Sequence, residues 1–330
     1  MFTRHFAFWP PLLPKTLTVP ATPVHDNLFV AAKRYPDKTA IVYYGGTLTY
    51  RQLADEVDKV SGYLQKRLGV KRGDRVVIYM QNAPQFVIAY YAILRADAIV
   101  VPINPMNKTE ELAYYLKDSQ AEVAFVGQEL FEQAAPLLDR GYLKQMIIAS
   151  YSEYANPAQE SPELLPKAVQ LPPVQYKDRR IANWRNVISS NLRADESQAK
   201  ADDIAVLPYT SGTTGKPKGC IHLHRTIQAN IFSAAAWVNL TSDSVTLTCL
   251  PLFHVTGMTH SMLSVISSGG TMILMTRWNR SLAADWIERY RITHWTNIST
   301  MLIDFLAQPQ ISAERLKSLL SVGGGGASLP

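Results

Sequence analysis

From Tyr209 to Gly219 the chain reads Tyr-Thr-Ser-Gly-Thr-Thr-Gly-Lys-Pro-Lys-Gly. Two internal glycines (Gly212, Gly215), four hydroxyl side chains (Thr210, Ser211, Thr213, Thr214) and two lysines (Lys216, Lys218) thus fall between two apolar strands. Glycine lets backbone N–H groups approach an anion closely, hydroxyls add donors and lysine supplies point charge, so this composition suits a polyphosphate. It is not a Walker loop: Gly212 and Gly215 are separated by two residues rather than four, and Pro217 follows Lys216 where Ser or Thr should ligate magnesium. Pro217 also forbids the helix that such a loop opens. A hairpin turn with solvated lysines is the plainer alternative, but a turn needs only one or two glycines and gains nothing from the hydroxyls and lysines.

Other segments carry weaker signals. Pro251-Leu-Phe-His-Val-Thr-Gly257 follows an apolar strand and opens an apolar helix, which puts His254 at a strand end, where ligands are met in open α/β sheets. A lone His in an apolar segment suits a core position as well. Met258, Met262, Leu263 and Ile266 beyond Gly257 could line an acyl tunnel or be ordinary core; periodicity does not separate the two. Val322-Gly-Gly-Gly-Gly-Ala-Ser follows the apolar run Leu316 to Leu320, so its glycines fall at a strand's carboxyl end, where a flat ring could lie on bare backbone; a linker is the alternative. His222 and His224 could share a strand face, but no carboxylate or cysteine cluster accompanies them, and a metal site there is not expected.

The run from Tyr209 to Gly219 resembles, without a mismatch, the signature of the acyl-adenylate-forming enzymes, the AMP-binding family that includes acyl-CoA synthetases, and the resemblance extends from about Asn27 to Pro330. It implies ATP-dependent activation of a carboxylic acid to an acyl adenylate and then to a thioester, with ATP, Mg²⁺ and coenzyme A as the small molecules used. Thr210, Ser211, Gly212, Thr213, Thr214, Gly215, Lys216 and Lys218 would then grip the β- and γ-phosphates. Thr214 would stand near the magnesium, and Thr214, Lys216 and His254 would be the catalytic candidates. Gly325, Gly326 and Ala327 are similar to the Gly-Gly-Ala stretch that contacts adenine, with Ser328 where that stretch has Pro. Thr296-Asn-Ile-Ser-Thr-Met301 is similar to a Val-Pro-Thr-Met segment bordering the acid pocket, with Ser299 in place of Pro. His254, Gly257, Met258, Asn297, Ser299 and Gly324 are the implied pocket residues.

Members that activate α-amino acids carry an Asp where this chain has His254, and an unpaired buried ammonium costs several kcal/mol, so an acid without an amino group is expected. A fatty acid is favoured by the apolar helix after His254. An aryl acid, another adenylate-forming branch and a non-catalytic nucleotide-binding module stay open. The resemblance also implies a Tyr-Gly-x-Thr-Glu segment, a ribose-gripping Asp and a lysine-bearing C-terminal domain, none of which lies within the 330 residues. The expectation is therefore an N-terminal portion, inactive alone.

These residues need elements to hold them. Thr39 to Tyr44, Gly45-Gly46 and a second short strand read as a hairpin. Thr49 and Gln52 have capping-box spacing, and Leu53, Val57, Val60, Leu64 and Leu68, followed by Gly69, predict an amphipathic helix with a glycine cap. Strands at 75–80, 99–101, 123–126, 204–209, 245–249, 271–275 and 294–297 alternate with helices near 84, 109–119 and 226–238, which predicts an α/β fold of two subdomains with mostly parallel sheets packed as layers. The expected division is an arm (1–26), one subdomain from 27–72 with 205–330, and a second from 73–204 that includes a Pro-rich surface excursion at 155–180.

Composition sets outer bounds. With 47% apolar and 18% charged residues the chain can bury a large core, and its net charge of +6 favours a phosphate-bearing ligand. No basic run is interleaved with aromatics, so nucleic acid is not an expected partner. Cys220 and Cys249 lie in apolar segments, which suits a reducing, cytoplasmic setting. Arg95 and Asp97, and then Pro251, His254 and Gly257, interrupt the longest apolar regions, so no transmembrane segment is expected, although peripheral contact with a membrane is compatible with the sequence.

Overall fold

Residues 3–210 and 215–325 are described in the computed structural model. Two sheets carry the fold. The seven-stranded sheet runs in the order His222–Leu223, Ile204–Val206, Ile99–Pro102, Arg75–Tyr79, Val123–Gly127, Gln145–Ala149, Ile181–Asn183, with only the His222–Leu223 edge antiparallel. The six-stranded sheet runs Ser321–Gly324, His294–Asn297, Val245–Thr248, Thr271–Leu274, Thr39–Tyr43, Gly46–Thr49, again with one antiparallel edge. This is the layered, mostly parallel α/β architecture that the alternation of elements predicts. Sheet membership, however, departs from the expected division at 204/205: Ile204–Val206 and His222–Leu223 extend the seven-stranded sheet, because Ile204–Val206 pairs in parallel with Ile99–Pro102.

Side chains of the seven-stranded sheet divide by strand alternation. Val76, Ile78, Val100, Phe125 and Ile147 enter the large core shared with the six-stranded sheet, while Val77, Tyr79, Val101, Val126 and Ile148 pack on the other face under Leu112, Leu116, Leu137 and Leu138. Within the large core lies the helix Pro84–Arg95, in which every residue from Pro84 to Leu94 is buried. The Tyr50–Lys66 helix packs beside it; Thr49 accepts from the Gln52 amide while the Gln52 side chain accepts from the Thr49 amide, and Gly69 takes the left-handed conformation (φ +70°) beyond its end.

The Pro-rich excursion is more than surface. It buries Glu160, Leu165 and Val169, and Glu160 accepts from Arg289 Nη1 at 2.9 Å, so the excursion straps one sheet's side to the other. At its start the Tyr154 carbonyl would lie 1.8 Å from a Cβ on Gly46, which is why the hairpin turn needs glycine there. Among the described residues no helix is long and apolar enough to cross a membrane, and Cys220 and Cys249 are free thiols.

The segment before the first long helix is pinned by a buried polar network. Val24 N–H donates to His224 Nδ1 at 3.0 Å and Asn27 Nδ2 to Gln228 Oε1 at 2.8 Å. Burial, with His224 and Arg95 nearby, pushes His25 down to about 3, and burial pushes His224 down to about 4, against an ordinary value of 6.5. The unfolded chain therefore binds more protons below about pH 6.5, so the stability held by these neutral rings is complete above that pH and is lost as pH falls toward 4 and 3. Buried Glu56, Glu129 and Glu153 are raised by burial and act with the opposite sign, so the histidine contribution shows only as a difference. The expected outcome is that His224→Asn, which keeps an acceptor for Val24 without a titrating ring, loses less stability than the parent between about pH 7 and about pH 5 in urea titrations.

Candidate active site

In the six-stranded sheet Val245–Thr248 connects to Thr271–Leu274 on one side, whereas its other neighbour, His294–Asn297, connects outward to Ser321–Gly324. Right-handed crossovers place those two connections on opposite faces, so a crevice opens between the carboxyl ends of Val245–Thr248 and His294–Asn297. Cys249 to His254 leave from one lip and Asn297 to Ser299 from the other.

The first lip is held by a residue from the other sheet. Asn82, just before the Pro84–Arg95 helix, donates to the carbonyls of Leu250 (2.9 Å) and Met275 (3.2 Å), and its Oδ1 accepts from Leu252 N–H (2.8 Å). That fixes the turn Pro251–His254. Gly257 closes the turn: a Cβ there would lie 2.2 Å from the Pro251 carbonyl oxygen, so the following helix can begin against the turn only with glycine. That helix, Gly257–Leu263, is wound as a π-helix, a form concentrated at functional sites. On the second lip Asn297 is 1% exposed, yet among the described residues neither its Nδ2 nor its Oδ1 has a hydrogen-bond partner. A buried amide without a partner costs on the order of 1–3 kcal/mol. Ser299 is the first residue of the Ser299–Leu306 helix. Proline is favoured at that position because its N–H is unneeded, so the exchange to Ser alters no intrahelical hydrogen bond.

Tyr209–Thr210 pairs antiparallel with Lys218–Gly219 as a two-stranded hairpin root separate from both sheets. The expected strand 204–209 ends at Val206 for that reason, with Pro208 between the two pieces. The hairpin root is clamped to the helix Thr109–Ser119: Tyr209 OH donates to Asp118 Oδ2 (2.6 Å), Tyr114 OH donates to the Pro217 carbonyl (2.8 Å), and Tyr115 meets Tyr209 edge-on at 4.7 Å. Thr210, Gly215, Lys216 and Lys218 are exposed, and among the described residues neither lysine forms an ion pair. Gly215 has φ +92°.

A cavity of about 1200 Å³ joins these parts. It begins at Thr210, Gly215 and Pro217 of the hairpin, passes Asn104, Asn107 and Tyr114, and reaches Phe253, His254, Met258 and His260 against Ile227 and Asn230 of the His224–Trp237 helix. Its described lining includes Glu110 and Glu111 but no Lys or Arg, and burial lowers the His260 pKa.

Of the residues singled out from sequence, Thr210, Gly215, His254 and Met258 line this cavity, and Lys216 and Lys218 flank Pro217 beside it. Gly257 does not line it; it is buried against Pro251 and acts on the backbone. Asn297, Ser299 and Gly324 form a second group at the crevice: Asn297 and Gly324 are register partners on adjacent parallel strands, and a Cβ on Gly324 would lie 3.4 Å from Asn297 Oδ1. Gly325 follows, exposed. Ser211, Gly212, Thr213, Thr214, Gly326 and Ala327 lie outside the described residues. Asn82, Tyr114 and the Tyr209–Asp118 clamp were not apparent from the sequence, because their partners lie far along the chain. Among the described residues no group of three or more His, Cys, Asp or Glu could hold a metal, and the Cys249 thiol is pushed up to about 12 by burial, which removes it as a nucleophile.

Residues 28–330 match the family model described as "AMP-binding enzyme". The chain belongs to this family. The AMP-binding chain is 33% identical over 338 residues to a long-chain-fatty-acid–CoA ligase of Bacillus subtilis, covering 98% of the chain and 59% of that protein. It is 29% identical to a ligase of the same description from Salmonella typhimurium, covering 89% and 54%. Among solved structures it superposes on a putative long-chain-fatty-acid CoA ligase from Rhodopseudomonas palustris with a TM-score of 0.77 at 26% identity, covering 93% of this chain and 70% of that one. An anthranilate CoA ligase in complex with anthranoyl-AMP shares the fold, with a TM-score of 0.79 at 24% identity, covering 95% and 57%. The chain thus spans between half and two thirds of the length of the curated relatives described.

For this AMP-binding chain, two substitutions test the first lip. Asn82→Ala strands the buried Leu250 and Met275 carbonyls and the Leu252 N–H, and is expected to lower unfolding free energy by about 2 kcal/mol or more. Gly257→Ala is expected to destabilise comparably, by about 1–3 kcal/mol, since backbone rather than a side chain must move. Denaturant unfolding of both variants beside the parent measures each effect.

Proposed function

We propose that this chain supplies the ATP- and acid-holding part of an acyl-CoA synthetase that activates a fatty acid. The observation that carries the reading is the single cavity running from the root of the lysine- and hydroxyl-bearing hairpin to His254 and Met258. One end is lined by Thr210, with Lys216 and Lys218 beside it on the hairpin, and the other by Ile227, Phe253 and Met258, so a phosphate tail and an apolar acyl chain could be held in line. Relatives described as long-chain-fatty-acid–CoA ligases support that choice of acid.

In this reading an acid carboxylate oxygen attacks the α-phosphorus of ATP, the bond to the bridging oxygen breaks, and pyrophosphate leaves. Lys216, Lys218 and the hairpin hydroxyls of Thr210, Ser211, Thr213 and Thr214, with backbone N–H groups at Gly212 and Gly215, stabilise the charge that develops on phosphoryl oxygens. Mg²⁺, held near Thr214, would supply further positive charge there. His254 and Met258 border the acid beside the turn that Gly257 makes, while Asn297, Ser299, Gly324, Gly325, Gly326 and Ala327 receive the adenylate's base and the reacting carboxyl at the crevice. Coenzyme A thiolate then attacks the acyl carbon and releases AMP. The reduced cysteines fit a cytoplasmic reaction.

The test is pyrophosphate release by the full-length protein with short, medium, long-chain and aryl acids. Long-chain acids are expected to give the highest kcat/KM, Lys216→Ala to lower it about 10²-fold, and His254→Ala to act chiefly on KM for the acid. Preference for aryl acids would replace the fatty-acid reading, and failure of every acid to give release would remove the enzyme reading.

A further inference from the structure

The N-terminal segment is apolar, aromatic and turned outward. Phe8 is 90% exposed, Leu12 96% and Trp237 59%. The 3₁₀ turn Arg4–Phe8 buries no residue, but the segment is ordered rather than splayed: Trp9 Nε1 donates to the Leu13 carbonyl at 3.1 Å, Phe6 meets Trp9 edge-on at 5.9 Å, and Trp9 meets Trp237 at 5.7 Å. Lys15 Nζ stands 5.0 Å from the Phe6 ring centroid. A preformed cluster of Phe, Trp and Leu side chains projecting into water is not explained by the core, which these residues do not enter.

Charge indicates what covers it. Residues 1–25 contain Arg4, His5 and Lys15, with His25 buried, and no Asp or Glu, and the helix His224–Trp237 that carries Trp237 also lacks a carboxylate, its Arg225 being paired with Asp202 at the opposite end. Aromatic side chains with apolar bodies and polar edges, set among cations, are the composition that settles at the headgroup level of a bilayer, and basic residues there are drawn to anionic lipid. We propose that Phe8, Leu12, Trp9 and Trp237, with Lys15, dock this protein on an anionic membrane surface as a peripheral, non-spanning contact. Asn230, which lines the cavity, and Trp237 are seven residues apart on one helix, about 10 Å of rise, so one rigid element serves both the docking patch and the cavity. That docking shortens the path of a lipid-borne acid rests on the functional reading above; docking itself does not.

The experiment is co-sedimentation of the full-length protein, without ATP or acid, with phosphatidylcholine vesicles and with vesicles that also contain phosphatidylglycerol. Binding is expected to the mixed vesicles, weakening with salt, and to fall at least about tenfold in Phe8→Ser/Leu12→Ser and severalfold in Lys15→Glu. Both altered apolar positions are solvent-exposed, so the double variant should retain the parent's circular dichroism and melting, and pyrophosphate release with a water-soluble acid should be unchanged. No sedimentation of the parent with anionic vesicles, or undiminished sedimentation of the double variant, overturns the proposal. So does a concentration-dependent dimer, seen by analytical ultracentrifugation, that the double variant abolishes, since a second copy would then be the occupant.

Discussion

The architecture depends on one helix that offers no face to water. Pro84 to Leu94 are buried without exception, so the helix must be enclosed on all sides, and a single sheet can cover only one. The seven-stranded sheet supplies one cover through Val76, Ile78 and Val100. The rest comes from the Tyr50–Lys66 helix and the hydrophobic residues before the six-stranded sheet, all within one continuous core. Two sheets that share no strand are thereby bound into one body by apolar burial, at roughly 25 cal/mol for each Å² removed from water.

Burying a helix this deeply makes its polar flank expensive, and the structure uses that flank to build the site. Asn82 can leave no amide atom unpaired, and it satisfies them on Leu250, Leu252 and Met275, the strand ends of the opposite sheet. Gln85 Nε2, one turn on, donates to the Ser150 carbonyl at 2.8 Å, which returns the same helix to the seven-stranded sheet. The turn that presents His254 is therefore set by the inter-sheet core rather than by its own sequence. Asn297 is the contrast: buried on the facing lip, it has no such partner among the described residues. The two lips thus differ in how their buried asparagines are held: Asn82 is fully paired, whereas Asn297 has no partner among the described residues.

How much of this could be read from the sequence follows from the range of the interactions. Local signals were legible: Thr49 and Gln52 cap a helix as their spacing predicts, and Pro84 opens another. Most central strands were legible too, as buried apolar runs, but Gln145–Ala149 and Ile181–Asn183 were not, and the last strand is Ser321–Gly324, with Gly323 and Gly324 inside it, rather than the apolar run Leu316 to Leu320. Which strand joins which sheet was not legible. Ile204–Val206 belongs with Ile99–Pro102 through pairing across about a hundred residues, and nothing in either segment names its neighbour. The same range limit hid Asn82 and Tyr114. Gly257 was noticed as a pocket residue for its place beside His254, and only the distance to the Pro251 carbonyl shows its part to be backbone packing. The run Tyr209 to Gly219 needed no long-range information to mark the family, since its residue types lie within eleven positions and the family match covers them.

The distribution of charge around the cavity completes the picture. Lys216 and Lys218 are outside, on the hairpin, and the described cavity wall carries no cation, only Glu110 and Glu111 among the formally charged residues. An apolar chain carrying a carboxylate gains nothing electrostatically from going fully inside such a wall, and it would lose the hydration of its charged end. On the reading proposed above, the apolar part of an acid would lie against Ile227, Phe253 and Met258, away from Glu110 and Glu111 on the helix that clamps the hairpin root.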